Sequence, residues 1–159
     1  MTEMAGWVSP KYATEKSKTI DDAIRFAATA RDTRGNKHSH QRRINPKYLS
    51  MFCDRILLKK DEIKDIRNFY ELFKTIQACK VKYIGELCIY DTSHRIGAFL
   101  GVLPDAIYLH NGTKIGANKI LGKIKGFQIF KDMLPTPFNR DGLSNAEIED
   151  ILCIYKEIL

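Results

Sequence analysis

Three side chains that could take part in catalysis or binding interrupt an apolar segment near the middle of the chain. Asp91 precedes His94 by three positions and Arg95 by four, so that on a helix all three share one face. A carboxylate beside an imidazole can set it up as a general base near neutral pH, and the arginine can hold a phosphate. The alternative interpretation, which we favour, is an intrahelical salt bridge beside a histidine with structural partners.

A glycine turn precedes this segment. Gly85 lies between Ile84 and Leu87, and Lys80 and Lys82 come shortly before it. A glycine at the start of a helix lets backbone N–H groups approach a phosphate, and the lysines add positive charge. The sequence therefore predicts an anion contact at this turn, with an ordinary helix–helix turn as the alternative.

A second glycine turn, Asn111-Gly112, precedes Thr113 and Lys114. Thr113 is predicted to cap a short helix, with Lys114 in its first turn. A lysine there opposes the helix dipole unless an anion is bound nearby. These residues predict a second phosphate contact, and a capped helix without a ligand explains them equally well.

Positive charge is concentrated in one part of the chain. Residues 31–60 contain nine Lys or Arg against two Asp, a balance of +7, and the rest of the chain has 17 of each sign. A localised excess is typical of a contact with nucleic acid or another anionic surface, and a solvated basic loop is the alternative. The predicted nucleic-acid-binding residues are Arg34, Lys37, Arg42, Arg43, Lys47, Lys80, Lys82, Gly85, Thr113 and Lys114.

The elements that carry these residues are predicted to be helical. Apolar residues recur at helical spacing in six or seven segments, without a convincing strand pair, which indicates an all-α fold. The longest apolar stripe predicts one helix of about eighteen residues from Asp61. A later helix is expected to end at Gly101, and residues 105–110 to form an extended link or a helical turn. Predicted helix starts are Thr19 with Asp22, Asn45 before Pro46, and Ser144 with Glu147.

The predicted domain organisation is simple. Residues 1–18 are expected to form an N-terminal arm and residues 19–159 a single compact helical domain. Within that domain, residues 31–45 have no apolar side chains for a core until Ile44 and predict a mobile basic loop. Residues 80–121 form the predicted hairpin region.

Several classes of protein are disfavoured by what the sequence lacks. The chain has no signal-peptide pattern, no apolar run long enough for a membrane span and no cofactor motif. His38 and His40 have no acidic or thiol neighbours at ligand spacing, so no metal site is predicted. We expect a cytoplasmic protein without a cofactor. The cysteines fall within apolar helical patterns and are predicted to be buried free thiols: Cys53, Cys79, Cys88 and Cys153.

Residues 80–120 resemble the helix-hairpin-helix segment of the DNA glycosylase superfamily. Hairpins of that family have the pattern hydrophobic, Gly, hydrophobic, Gly, two further residues, then a helix, and Ile84-Gly85 fits its second half. Tyr83 stands in place of the first glycine. Leu87 stands where members that cleave the backbone have a lysine. The resemblance therefore implies DNA contact more strongly than it implies cleavage.

The family's catalytic aspartate lies about eighteen residues after the hairpin. By count it corresponds to Asp105, whereas matching the apolar entry before it gives Leu109 or His110. If the resemblance extends to glycosylase chemistry, the candidate catalytic residues are Asp91, His94, Asp105 and His110.

These observations predict a protein that binds the phosphate backbone of nucleic acid, with double-stranded DNA as the expected ligand and no membrane partner. Two alternatives remain open. One is a DNA glycosylase- or lyase-like enzyme that acts on a modified or damaged base. The other is an accessory subunit whose basic loop binds an acidic protein partner.

Overall fold

The structure is a computed structural model that describes residues 16–32 and 34–159. Helices dominate this part of the chain. Seven α-helices, two short 3-10 helices and two short strands lie within these ranges, so the prediction of an all-α fold is confirmed. The contacts divide the chain into two compact units, residues 1–103 and 104–159, and each is described by itself.

Five α-helices form the described part of unit 1. They are α1 (Ile20–Ala28), α2 (Pro46–Leu57), α3 (Lys60–Ile63), α4 (Phe69–Ala78) and α5 (Glu86–Leu100). Helix α1 packs against α2 and α5, and α4 packs against α5. The core between them is formed by Ala23, Ile24, Ala27, Leu49, Phe52, Ile56, Phe69, Leu72, Ile76, Ile89 and Ile96. Cys53, Cys79 and Cys88 are free and buried, as predicted.

Local side-chain chemistry sets the predicted helix starts. Thr19 Oγ1 accepts from the backbone N–H of Asp22, whose carboxylate accepts in return from the N–H of Thr19, and this capping box begins α1. The Asn45 side chain accepts from the N–H of Lys47 at the start of α2. After the last residue of α5, Gly101 takes the left-handed conformation expected of a helix stop.

The prediction of one long helix from Asp61 is wrong. The chain instead forms the single turn α3 and then breaks before α4. Asn68 causes the new start, because its side chain accepts from the backbone N–H of Glu71. Ile63, Ile66 and Phe69 are buried on both sides of the break, so the apolar stripe is continuous although the helix is not.

The basic segment, residues 31–45, has more structure than the predicted mobile loop. Arg31 and Lys37 pair through an antiparallel backbone bridge, and residues Ser39–Gln41 form a 3-10 helix. His38 and Gln41 are buried, with exposed fractions of 8% and 0%. The segment has no apolar anchor before Ile44, and polar side chains hold it instead.

Unit 2 combines two helices with a small sheet. Its elements are β1 (Ile107–Tyr108), α6 (Asn111–Leu121), β2 (Gln128–Ile129), a 3-10 helix (Lys131–Met133) and α7 (Asn145–Ile154). The strands are antiparallel, with Ile107 opposite Ile129 and Tyr108 opposite Gln128. The expectation of no strand pair is therefore corrected. The core comprises Ile107, Leu109, Ala117, Ile129, Leu134, Ile148 and Leu152.

Helix α6 starts earlier than predicted. It begins at Asn111 with His110 as the N-cap residue, so Thr113 is not its cap and Asn111-Gly112 is not a turn outside it. The glycines of α6 allow close approach to α7: a Cβ added at Gly112 would lie 2.6 Å from Cys153 Sγ, and one at Gly116 would lie 2.2 Å from the carbonyl oxygen of Leu152.

The predicted start of the last helix is confirmed. Ser144 and Glu147 form the predicted capping box of α7. The helix ends at Ile154, and Tyr155 and Ile158 beyond it are exposed. None of the helices within residues 16–32 and 34–159 is both long enough and apolar enough to cross a membrane.

Candidate nucleic-acid interface

Polar contacts fasten the basic segment to α5. Gln41 Nε2 donates to Asp91 Oδ2 at 2.7 Å, and His40 Nδ1 lies 3.2 Å from the same oxygen. Burial alone would raise the pKa of the Asp91 carboxyl, but the contacts with His40 and Gln41 and the charge of Arg95 hold it below its usual value. Asp91 is therefore an ionised anchor for the basic segment.

Arg95 completes this polar network. Its Nη2 donates to Gln41 Oε1 at 2.9 Å and lies 3.6 Å from Asp91 Oδ2, and its Nη1 donates to the carbonyl oxygen of Ala27 at 3.3 Å. The predicted Asp91–Arg95 ion pair is thus confirmed. Because Arg95 is only 7% exposed, its guanidinium makes hydrogen bonds inside the protein and is not presented to a phosphate in solvent.

His94 occupies an aromatic environment. Its ring lies edge-on to Phe69, with centroids 6.4 Å apart, and 5.7 Å from the ring of Tyr90. Burial lowers the pKa of His94 to about 4, and the nearby Asp91 charge offsets only part of this effect. The imidazole is neutral at pH 7 instead of poised near neutral pH. A catalytic role for Asp91 and His94 stays a prediction.

His38 is a second neutral imidazole in unit 1. Burial, together with the positive charge of Arg95, lowers its pKa to about 4. Its Nε2 atom is buried, and no described residue forms a hydrogen bond with it. Sequence reasoning considered His38 only as a metal ligand. No local pattern marks it as a buried residue, because it lies in a polar segment.

An aromatic contact joins the start of α2 to the turn before α5. The rings of Tyr48 and Tyr83 are 4.7 Å apart, and Lys82 Nζ lies 4.9 Å from the centroid of the Tyr83 ring. Arg55 Nη1 donates to the carbonyl oxygen of Lys80 at 2.9 Å. These contacts place α2, which directly follows the basic segment in the chain, beside the turn at 80–85.

The predicted phosphate-binding residues of unit 1 are mostly exposed. We call the basic surface the set Arg34, Arg42, Arg43, Lys47, Lys80 and Lys82, all of which are exposed. Lys37 is half-buried, and its Nζ donates to the carbonyl oxygens of Ile44 and Arg42, so it holds the segment in place. The first turn of α2 contains no acidic residue.

Gly85 is open to solvent at the start of α5. An added Cβ would meet no atom within 4 Å, and its φ of −91° suits any residue. No side chain caps the N-terminus of this helix, although Glu86 places a carboxylate in its first turn. The left-handed backbone of this turn lies instead at Tyr83, whose φ is 66°.

The second predicted phosphate contact has internal partners. Thr113 is fully buried, and its hydroxyl donates to Glu149 Oε1 at 2.7 Å. His110 Nε2 contacts the same carboxylate oxygen. Lys114 Nζ donates to the carbonyl oxygen of Gly126 at 3.3 Å. This cluster joins α6 to α7 inside unit 2 and presents no open site for a phosphate at Thr113.

The four candidate catalytic residues are divided between the units. Asp91 and His94 belong to unit 1, whereas Asp105 and His110 belong to unit 2. Asp105 accepts a hydrogen bond from the Tyr108 hydroxyl at 3.3 Å. Within residues 16–32 and 34–159, no three His, Cys, Asp or Glu side chains are grouped as a metal ion would need.

Comparisons with protein-family models, curated proteins and solved structures found no match to this chain. Function is therefore inferred from the geometry and charge of the basic surface.

Proposed function

We propose that this protein binds DNA through the phosphate backbone, using the basic surface of unit 1. The observation that carries the proposal is the contact between Tyr48 and Tyr83, because it brings Lys47 at the start of α2 next to the turn that contains Lys80 and Lys82. Two clusters of positive charge thereby act together.

The charges of this surface are available to a ligand. Arg42, Arg43 and Lys47 are exposed, and polar contacts of Gln41 and Lys37 hold the basic segment that carries the two arginines. Lysine and arginine side chains that neutralise phosphates release condensed counterions, which makes such binding strongly dependent on salt. Since Glu86 opposes an anion at the α5 N-terminus, the contact there is assigned to the lysine side chains.

The test replaces Arg42, Arg43 and Lys47 together with glutamine. Binding to duplex DNA, measured by fluorescence anisotropy over a range of salt concentrations, should weaken. The slope of log K against log salt should fall by about 0.9 for each lost phosphate contact, or by about 3 if all three side chains contact phosphates. Circular dichroism should show an unchanged helix content, because these side chains are exposed.

A matched control removes the same charge from unit 2. Lys119, Lys123 and Lys125 are also exposed, so their replacement by glutamine changes net charge equally. If the proposal is right, this control keeps the salt slope of the original protein. Equal losses in both variants would show that binding follows net charge alone, and an unchanged slope in the first variant would remove the basic surface as the binding site.

A further inference from the structure

Tyr83 has an unusual combination of backbone and exposure. Its φ of 66° lies in the left-handed region, which glycine adopts freely and bulky residues rarely adopt. The side chain is nevertheless 61% exposed, so core packing does not compensate for this conformation. A backbone outlier at the surface makes the side chain that it presents a candidate for a functional role.

The surroundings of the Tyr83 ring resemble a binding surface for a planar group. Tyr48 contacts the ring at an interplanar angle of 63°, and the Lys82 ammonium lies over it. Lys47 is the neighbour of Tyr48 in the first turn of α2. An exposed aromatic ring with one lysine over it and a second lysine next in sequence to its aromatic partner offers the groups that stack a nucleic-acid base and hold its phosphates.

We propose that an unpaired base of the bound nucleic acid stacks on Tyr83, with Lys82 and Lys47 holding adjoining phosphates. This inference rests on the proposed function and narrows its ligand. Bases within a duplex are stacked on each other and offer only their edges in the grooves, whereas an unpaired base offers a face. The preferred ligand is therefore a single strand or an unpaired segment within a duplex.

The experiment compares three probes of equal length: a single-stranded oligothymidylate, an abasic strand with the same phosphates, and a duplex. The original protein should bind oligothymidylate more tightly than the abasic strand. Tyr83→Ala should weaken oligothymidylate binding by roughly 5- to 150-fold, the range for loss of one base–aromatic stack. It should leave the abasic strand and the duplex almost unaffected, while Tyr83→Phe keeps the ring and the affinity.

Two further variants separate binding from folding. Tyr83→Gly relieves the left-handed backbone and removes the ring, so it should keep or raise the melting temperature yet bind oligothymidylate as weakly as Tyr83→Ala. Tyr70→Ala removes another exposed tyrosine, from α4, and should keep the original affinity. An oligouridylate in the same assay shows whether RNA or DNA supplies the preferred base.

The outcomes distinguish the two proposals. Equal weakening of all three probes by Tyr83→Ala, or no preference of the original protein for oligothymidylate over the abasic strand, would overturn base stacking while leaving backbone binding intact. Failure of the original protein to bind any probe would overturn backbone binding as well.

Discussion

His38, which is buried, and His94, which is half-buried, are expected to make the protein less stable as the pH falls from about 6.5 towards about 4. Burial lowers the pKa values of His38 and His94 from 6.5 to about 4. Between these values the unfolded chain takes up protons that the folded protein does not, so the free energy of unfolding decreases as the pH falls. The lowered pKa of Asp91 acts in the same direction, but below its ordinary 3.8.

The size of the effect follows from the width of this pH range. Each histidine contributes a slope of up to about 1.4 kcal/mol per pH unit, and hence a loss of up to about 3 kcal/mol by pH 4. His38 is only 8% exposed, so screening by solvent reduces its share little. Two such losses are comparable with the total stability of a typical domain, about 5–15 kcal/mol.

The assay is urea denaturation of the original protein and of His94→Phe, monitored by circular dichroism and repeated at pH values from 8 to 4. Phenylalanine keeps a ring against Phe69 and Tyr90 but does not titrate. Whatever the variant costs at pH 8, its stability relative to the original protein should improve by up to about 3 kcal/mol as the pH falls to 4. Parallel stability curves would refute the reasoning, as would an NMR titration that places the His94 pKa near 6.5.

Two further predictions concern packing and the buried ion pair. Gly116→Ala places a Cβ 2.2 Å from the carbonyl oxygen of Leu152, so the melting temperature should fall by the equivalent of about 1–3 kcal/mol. Gly85→Ala, whose added Cβ meets no atom within 4 Å, should cost less than about 1 kcal/mol, and similar melting temperatures of the two variants would contradict this difference. Asp91→Asn leaves Arg95 buried without a carboxylate and should cost about 3–5 kcal/mol in urea denaturation, and a loss below about 1 kcal/mol would show that the pair is not needed.

Features of the fold that depend on nearby residues could be predicted from the sequence. The caps at Thr19, Asn45 and Ser144 each involve a partner within three positions, so spacing alone reveals them. Asn68 and Glu71 carried the same pattern, but they lie inside the apolar stripe that predicted one long helix. A continuous buried stripe does not require a continuous helix, and here the cap was the better guide.

Features that depend on distant residues could not be predicted. Ile107 finds its strand partner at Ile129, and the glycines of α6 are explained only by the backbone of α7. The same limit applied to the polar network. The i,i+4 spacing of Asp91 and Arg95 gave their ion pair correctly, whereas Gln41, fifty positions before Asp91, carries no sequence mark of its buried role.

Tyr83 shows how a departure from a familiar pattern can be informative. The resemblance to helix-hairpin-helix segments calls for a glycine at this position, where the chain has Tyr83. The structure has a glycine-like φ of 66° at this residue, yet it presents an exposed ring there. The resemblance itself stays a prediction. If DNA meets this turn, the tyrosine keeps the backbone of α5 at a distance and offers a base a stacking partner in its place, so the ligand that suits this surface has an unpaired base.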